Sequence, residues 1–279
     1  MADPIVEGAA ALPAPVLRAH LEGYGGYRLE GFAPGVHRGL PSQRMTFIVS
    51  LDDPVDIATM PAPGQSGRFG AFVAGLHGSP ATIRHDGRQI GLHVDLTPFG
   101  ARALLGMPAA ELAGRAVELV DLLGPLGVEL QDRAVAATSW PERFAVLDDV
   151  LGRALRDAPA PQPEVAWAWR RVVESGGGVE IGALAREVGW SRRHLGARFR
   201  GELGVSPKTA ARVVRFDRSR GMLRRPRRPG LAEVAATCGY YDQAHMTRDW
   251  HDLAGCTPTA WLADDFPSVQ DDATVLAAG

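Results

Sequence analysis

Two short stretches of the chain carry side chains suited to reading the edge of a base pair. Gln243, His245, Thr247 and Arg248 fall close together in one of them, and Arg192, Arg193 and Arg200 in the other, with Gly196 among them. A glutamine amide matches the donor and acceptor of adenine, and an arginine fork matches guanine N7 and O6; each such pair is worth ~1–3 kcal/mol of discrimination. An imidazole N–H or a threonine hydroxyl can donate to a base edge or a phosphate. A third stretch, Arg224-Arg-Pro-Arg-Arg-Pro-Gly230, offers Arg224, Arg225, Arg227 and Arg228, whose charges suit phosphate contacts that carry no sequence information. Any one of these residues is equally at home on a solvated face. Their meaning depends on the elements that present them.

Those elements repeat. Residues 181–207 and 231–258 align at an offset of 50 before a turn and 51 after it: Ala185 with Ala235, Val188 with Cys238, Gly189 with Gly239, Trp190 with Tyr240, then Leu195 with Met246, Phe199 with Trp250, Gly204 with Gly255 and Ser206-Pro207 with Thr257-Pro258. Each unit reads as a short helix, a glycine able to take a left-handed turn, and a second amphipathic helix, the pattern of a helix-turn-helix. Ser191 and Asp242 are the expected N-caps of the second helices, Leu195, Phe199, Met246 and Trp250 their buried faces, and the polar residues above their free faces. Residues 207–223 are expected to form a linker helix of about 24 Å. A helix of that length can hold two recognition helices in successive major grooves about 34 Å apart. Arg186–Arg248 carries 15 basic against 5 acidic residues, the charge separation expected of a polyanion-binding module.

At these residues the chain resembles the AraC/XylS family of bacterial transcription regulators. The resemblance covers about 181–262 and rests on Ala-x-x-x-Gly in both units, Ser191-x-x-x-Leu195-x-x-x-Phe199, Gly204-Val-Ser-Pro207, Arg215-Phe216, and Gly239 to Trp250 leading into Gly255-Cys-Thr-Pro258. It implies an all-α domain of two helix-turn-helix subdomains joined by a helix. It also implies that Arg193, Gly196 and Ala197 face bases from the first recognition helix, and Gln243, Ala244, His245 and Arg248 from the second. Gly196 and Ala197 stand where polar residues are common in the family, so the first helix is expected to read DNA through Arg192, Arg193 and Arg200. Ala210 replaces a common aromatic of the linker helix.

The other half of the chain is acidic. Residues 1–160 carry 13 basic and 18 acidic side chains and residues 161–265 carry 17 and 12, giving −5 and +5, a sign difference that suits a contact masking the basic half. Short alternating segments, Tyr27–Ala33, Met45–Leu51, Phe69–Leu76, Ala81–His85 and Ile90–Leu96, read as strands, and from Pro98 the apolar period turns helical. The expected fold is therefore α+β, antiparallel strands followed by helices, with Ser139 capping the last helix. Pro34–Ser42 reads as a loop between strands, and its His37, Arg38 and Ser42 are the candidates for an effector site, since binding residues concentrate on loops. Gly75–Pro80 and His85–Gly106 resemble a domain found on AraC-like regulators of actinobacterial type, which in the family senses an effector or mediates dimerisation. His77, His85 and His93 recur every eight residues, but nothing in the sequence fixes them around one metal, and no metal is expected. Cys238 and Cys256 are expected to be buried apolar thiols, with a redox switch between them as the alternative.

No G-x-S-x-G, P-loop, G-x-G-x-x-G after a strand or H-E-x-x-H occurs, so neither enzymatic activity nor a cofactor is expected. The absence of an apolar run of about 18 residues and the acidic start point to a cytoplasmic location. Three prolines in Ala158–Pro163 mark a linker. The expected domains are 1–160 (regulatory), 161–265 (DNA-binding) and a disordered acidic tail, 266–279. The resulting expectation is a sequence-specific regulator modulated by its first domain. Its partners would be double-stranded promoter DNA, a small-molecule effector, RNA polymerase and a second copy of the chain. An architectural DNA protein without sequence preference, or a bifunctional protein with an enzymatic first domain, are the alternatives.

Overall fold

A computed structural model describes residues 4–263; the expected tail, 266–279, lies outside them. The chain begins with strands β1 (Ile5–Ala11), β2 (Leu21–Glu30), β3 (Gly35–Gly39), β4 (Met45–Ser50), β5 (Val55–Thr59), β6 (Gly67–Phe69), β7 (Ala71–Ala74), β8 (Ala81–His85) and β9 (Gln89–Leu96). Helix α1 (Gly100–Leu105) precedes β10 (Ala116–Glu118), and α2 (Leu119–Leu123), α3 (Pro125–Ala136) and α4 (Trp140–Ala154) complete the first half. The strands pair antiparallel in two sheets ordered β1-β2-β9-β4-β7-β10 and β3-β8-β5-β6.

Period-2 alternation explains the layering. In β4 and β7, Phe47, Val49, Ala71 and Val73 join a core shared with the helices, whereas Ile48, Phe72 and Ala74 join a smaller core with Val55 and Ile57 of the second sheet. The larger sheet is thus buried on both faces, between the smaller sheet and the helices. α4 starts at the expected cap, Ser139, and the bonding there is reciprocal: the serine accepts the Glu142 N–H, and Glu142 accepts the Ser139 N–H.

Several strand boundaries differ from the expectation. Pro34–Ser42 is not a loop, since Gly35–Gly39 pairs with β8 in register His37 to Ile83. Its alternation is too short to be legible, and the partner strand comes from much later in the chain. The expected strand Phe69–Leu76 divides at Gly70 into β6 of one sheet and β7 of the other. β1 is a mostly exposed edge held by backbone pairing with β2, and β5 was likewise not foreseen.

Residues 155–162 carry neither helix nor strand, and Pro163 opens α5 (Pro163–Glu174) at a position where its missing N–H costs nothing. Then follow α6 (Ile181–Glu187), α7 (Arg192–Leu203), α8 (Pro207–Leu223), α9 (Leu231–Thr237), α10 (Gln243–Ala254) and α11 (Pro258–Leu262). Helices α6–α7 and α9–α10 are the two repeated units, and the 17-residue α8 joins them. Gly189 and Gly239 take φ of 71° and 77°, the left-handed conformation that lets each pair turn between its helices. The core of the first unit (Leu184, Leu195, Phe199) is continuous with that of the β-domain, while the second unit has its own cluster around Phe216 and Trp250.

Candidate nucleic-acid interface

The second helix of each repeat is built alike. Ser191 accepts the His194 N–H at 3.1 Å and Asp242 the His245 N–H at 2.6 Å, so each side chain satisfies one of the helix's orphan donors. Behind each cap an aromatic meets a histidine edge-on: Trp190 with His194 at 4.6 Å and Tyr240 with His245 at 5.3 Å. Leu195, Phe199 and Leu203 anchor α7, and Met246, Trp250 and Leu253 anchor α10.

Burial of those faces leaves Arg193, Ala197 and Arg200 exposed on α7 and Gly196 half-buried beside them; on α10 Gln243, Ala244 and Arg248 are exposed. Arg192 is also exposed, but its guanidinium lies 3.0 Å from Glu180. The same Glu180 accepts the N–H groups of Gly182 and Ala183 at the start of α6, and these bonds hold its carboxyl below the usual range. Arg248 donates to the Ala244 carbonyl at 3.3 Å and Thr247 to that of Gln243 at 2.9 Å. The His245 Nδ1 accepts the Tyr241 N–H at 3.3 Å, so its Nε2 carries the hydrogen of the neutral ring and is the atom free to donate.

Helix α10 is locked to α8. Arg212 bridges Asp249 at 2.8 Å and Asp252 at 2.5 Å, and Trp250 donates its indole N–H to Ser219 at 3.0 Å while packing edge-on against Phe216. Of the basic run, Arg225, Arg227 and Arg228 are exposed, but Arg224 is half-buried with its guanidinium 4.7 Å above the Trp261 ring. Tyr241, 93% exposed at the entrance to α10, stands beside these residues and is not among the sequence candidates. The signal was there: two adjacent tyrosines precede the cap, and the repeat assigns only Tyr240 to the core.

Arg193, Ala197 and Arg200 on α7 and Gln243, Ala244 and Arg248 on α10 stay exposed in the presence of the first domain. Of its candidate residues, His37 and Arg38 line a cavity of about 40 Å³ between the two sheets, together with Tyr27, Ile57, Phe72 and His77. Ser42 is elsewhere, donating to Asp217 of α8 at 3.3 Å. Burial, then the neighbouring His85, pushes the His37 imidazole down to about 4 against an opposing hydrogen bond with Gln89. The three recurrent histidines go separate ways: His77 meets the Ser79 carbonyl, His85 the His37 ring and His93 the Asp95 carboxylate. Both thiols are buried; that of Cys238 lies 3.5 Å from the Met222 sulfur, and burial pushes its pKa up. Among the described residues no helix is long and apolar enough to cross a membrane.

Residues 184–264 match the helix-turn-helix domain family. No curated protein matches the sequence. Among solved structures the chain is similar to ToxT from Vibrio cholerae, at 10% identity and a TM-score of 0.53 over 86% of this chain and 97% of that one. It is also similar to ToxT from V. cholerae strain SCE256 with an unsaturated fatty acid bound, at 8% identity and a TM-score of 0.50 over 94% and 97% of the two chains. The DNA-binding domain of AdpA, solved with a target DNA, is 22% identical over 37% of this chain and 92% of its own, with a TM-score of 0.34. Residues 184–264 are thus a helix-turn-helix domain, carried by a chain whose two-domain fold is similar to that of ToxT.

Proposed function

We propose that this chain is a sequence-specific DNA-binding transcription regulator in which residues 161–265 bind promoter DNA and residues 1–160 modulate that binding. The observation that carries the reading is the pair of equivalent recognition helices, each capped, each anchored by a buried aromatic, and each with its polar or basic face exposed. Arg193 and Arg200 on α7, and Gln243, Ala244 and Arg248 on α10, enter successive major grooves, with Gly196 allowing close approach and Thr247 and His245 at the margin. Arg192 reaches DNA only by leaving Glu180. Arg225, Arg227 and Arg228 supply phosphate contacts, and Arg224 does so from its perch on Trp261.

The effector part of the reading is supported by the cavity beside His37 and Arg38 and by the fatty acid found in ToxT. A volume of about 40 Å³ accommodates only a few waters, so a small-molecule effector enters by displacing side chains between the sheets. RNA polymerase and a second copy of the chain are further partners on this reading. The deciding experiment is selection of random duplexes by the full chain, followed by anisotropy titration of the selected and scrambled sequences at two salt concentrations. A preference of ~10³ or more supports a specific regulator. Binding that collapses with salt and prefers no sequence overturns it.

A further inference from the structure

The β-domain reaches both recognition helices from behind. Arg102 of α1 places Nε and Nη2 each 2.6 Å from the two carboxylate oxygens of Glu202, a buried residue in the last turn of α7. Just beyond, Gly204 ends α7 so close to the first domain that a Cβ there would stand 2.2 Å from that of Ala113. On the second unit, Leu40, between β3 and β4, is buried in the cluster of Phe216 and Trp250. Ser42 and the Gln43 N–H approach the Asp217 carboxylate of α8 at 3.3 and 3.5 Å, and the same carboxylate accepts from Arg220 at 2.6 Å. The Pro80 ring lies beside Gly255, the residue that ends α10.

We infer that the β-domain positions the two recognition helices relative to one another and so sets the half-site spacing the chain accepts, with Arg102 as a positioning residue for α7. The inference rests on the reading of the chain as a specific DNA-binding regulator and adds to it the source of its geometry. The base-facing residues of α7 and α10 are exposed on the sides the β-domain leaves bare, so this domain can act on DNA binding through orientation and not through occlusion. A bidentate arginine on a buried carboxylate fixes angle as well as distance. Because α7 is referenced to α1 and the turn at Ala110–Ala113, and α8 and α10 to Leu40, Ser42 and Pro80, both helices are tied to one body besides the linker helix between them.

The test uses the full chain and its selected duplex, with the separation of the half-sites left intact or changed by one or two base pairs. Wild type is expected to discriminate against the altered spacings by ~10-fold or more, as two helices held one DNA turn apart must. Arg102→Ala is expected to bring that ratio close to one, and Arg102→Lys, which keeps the charge without the fork, to restore part of it. Ser42→Ala, at the contact on the other unit, serves as a second variant if the first fails to fold. Equal weakening of all spacings with an unchanged ratio in the variants overturns the inference and leaves the regulator reading standing. Failure of wild type to prefer any sequence removes both.

Discussion

Arg248 and Arg225 carry the same charge in different settings. Arg248 stands on the exposed side of α10, its Nε steadied by the Ala244 carbonyl, whereas Arg225 lies exposed in the turn after α8, outside either recognition helix. Arg248→Ala is therefore expected to weaken binding to the selected duplex by ~1–3 kcal/mol and to relax the preference at one base pair. Arg225→Ala is expected to weaken cognate and scrambled duplexes alike and to flatten the salt dependence by about one unit of slope. Anisotropy titrations across salt separate the two, and equal losses for both variants on both duplexes would remove the division of labour. His37 gives a stability prediction of definite sign. Its imidazole titrates at about 4 in the folded chain and near 6.5 when unfolded, so the unfolded state binds more protons between those values and stability falls as pH falls through that window. Of order 3 kcal/mol is lost from this group by pH 4. Urea midpoints measured from pH 7 to 4 should show the decline, and His37→Phe should shallow it.

The helices of the repeat illustrate what an element needs before a sequence reveals it. Their caps, turn glycines and aromatic anchors are all local: Ser191 and Asp242, Gly189 and Gly239, Phe199 and Trp250 occupy their places because spacing along one helix decides them. β3 has no such signal, since what makes Gly35–Gly39 a strand is β8, far away in sequence. The exposed faces of the recognition helices were legible for the same reason as the caps. Arg192 shares the expected DNA-reading role of Arg193, yet its guanidinium meets Glu180, the N-cap residue of α6, a partner that periodicity cannot identify. The cavity was half legible: His37 and Arg38 line it, but Ser42, three residues after Gly39 ends the strand, belongs to the contact with α8. For α10 the decisive anchor is Trp250, fully buried, bonded to Ser219 and packed on Phe216 and Trp261. Trp250→Ala is expected to cost ~3–5 kcal/mol, and Trp250→Phe, which keeps a ring but removes the indole donor to Ser219, whose hydroxyl still donates to the Phe216 carbonyl, about 1 kcal/mol from the lost hydrogen bond. Urea unfolding followed by circular dichroism checks both, and an alanine variant as stable as wild type would show that α10 does not depend on this anchor.

Across the whole molecule the division of the cores does not coincide with the proline-rich joint. Residues 155–162 separate the halves in the chain, but the apolar interior runs without interruption from β4, β7 and β9 through α3 and α4 into α5, α6 and α7, while the second helix-turn-helix keeps a separate cluster to which the first domain contributes Leu40. Cooperative units follow shared burial, because opening one element exposes whatever it covers. The first helix-turn-helix should therefore open together with the β-domain, and the second apart from it. Native-state hydrogen exchange of the full chain is expected to give the amides of α7 the opening free energy of α3 and α4, and those of α10 a different value. Arg102→Ala, which leaves Glu202 buried without its cation, should lower protection in α7 and in the β-domain helices while leaving α10 nearly unchanged. If α7 instead exchanges in step with α10, and Arg102→Ala lowers both equally, the two repeats form one unit and the continuity of the core across the joint has no energetic consequence.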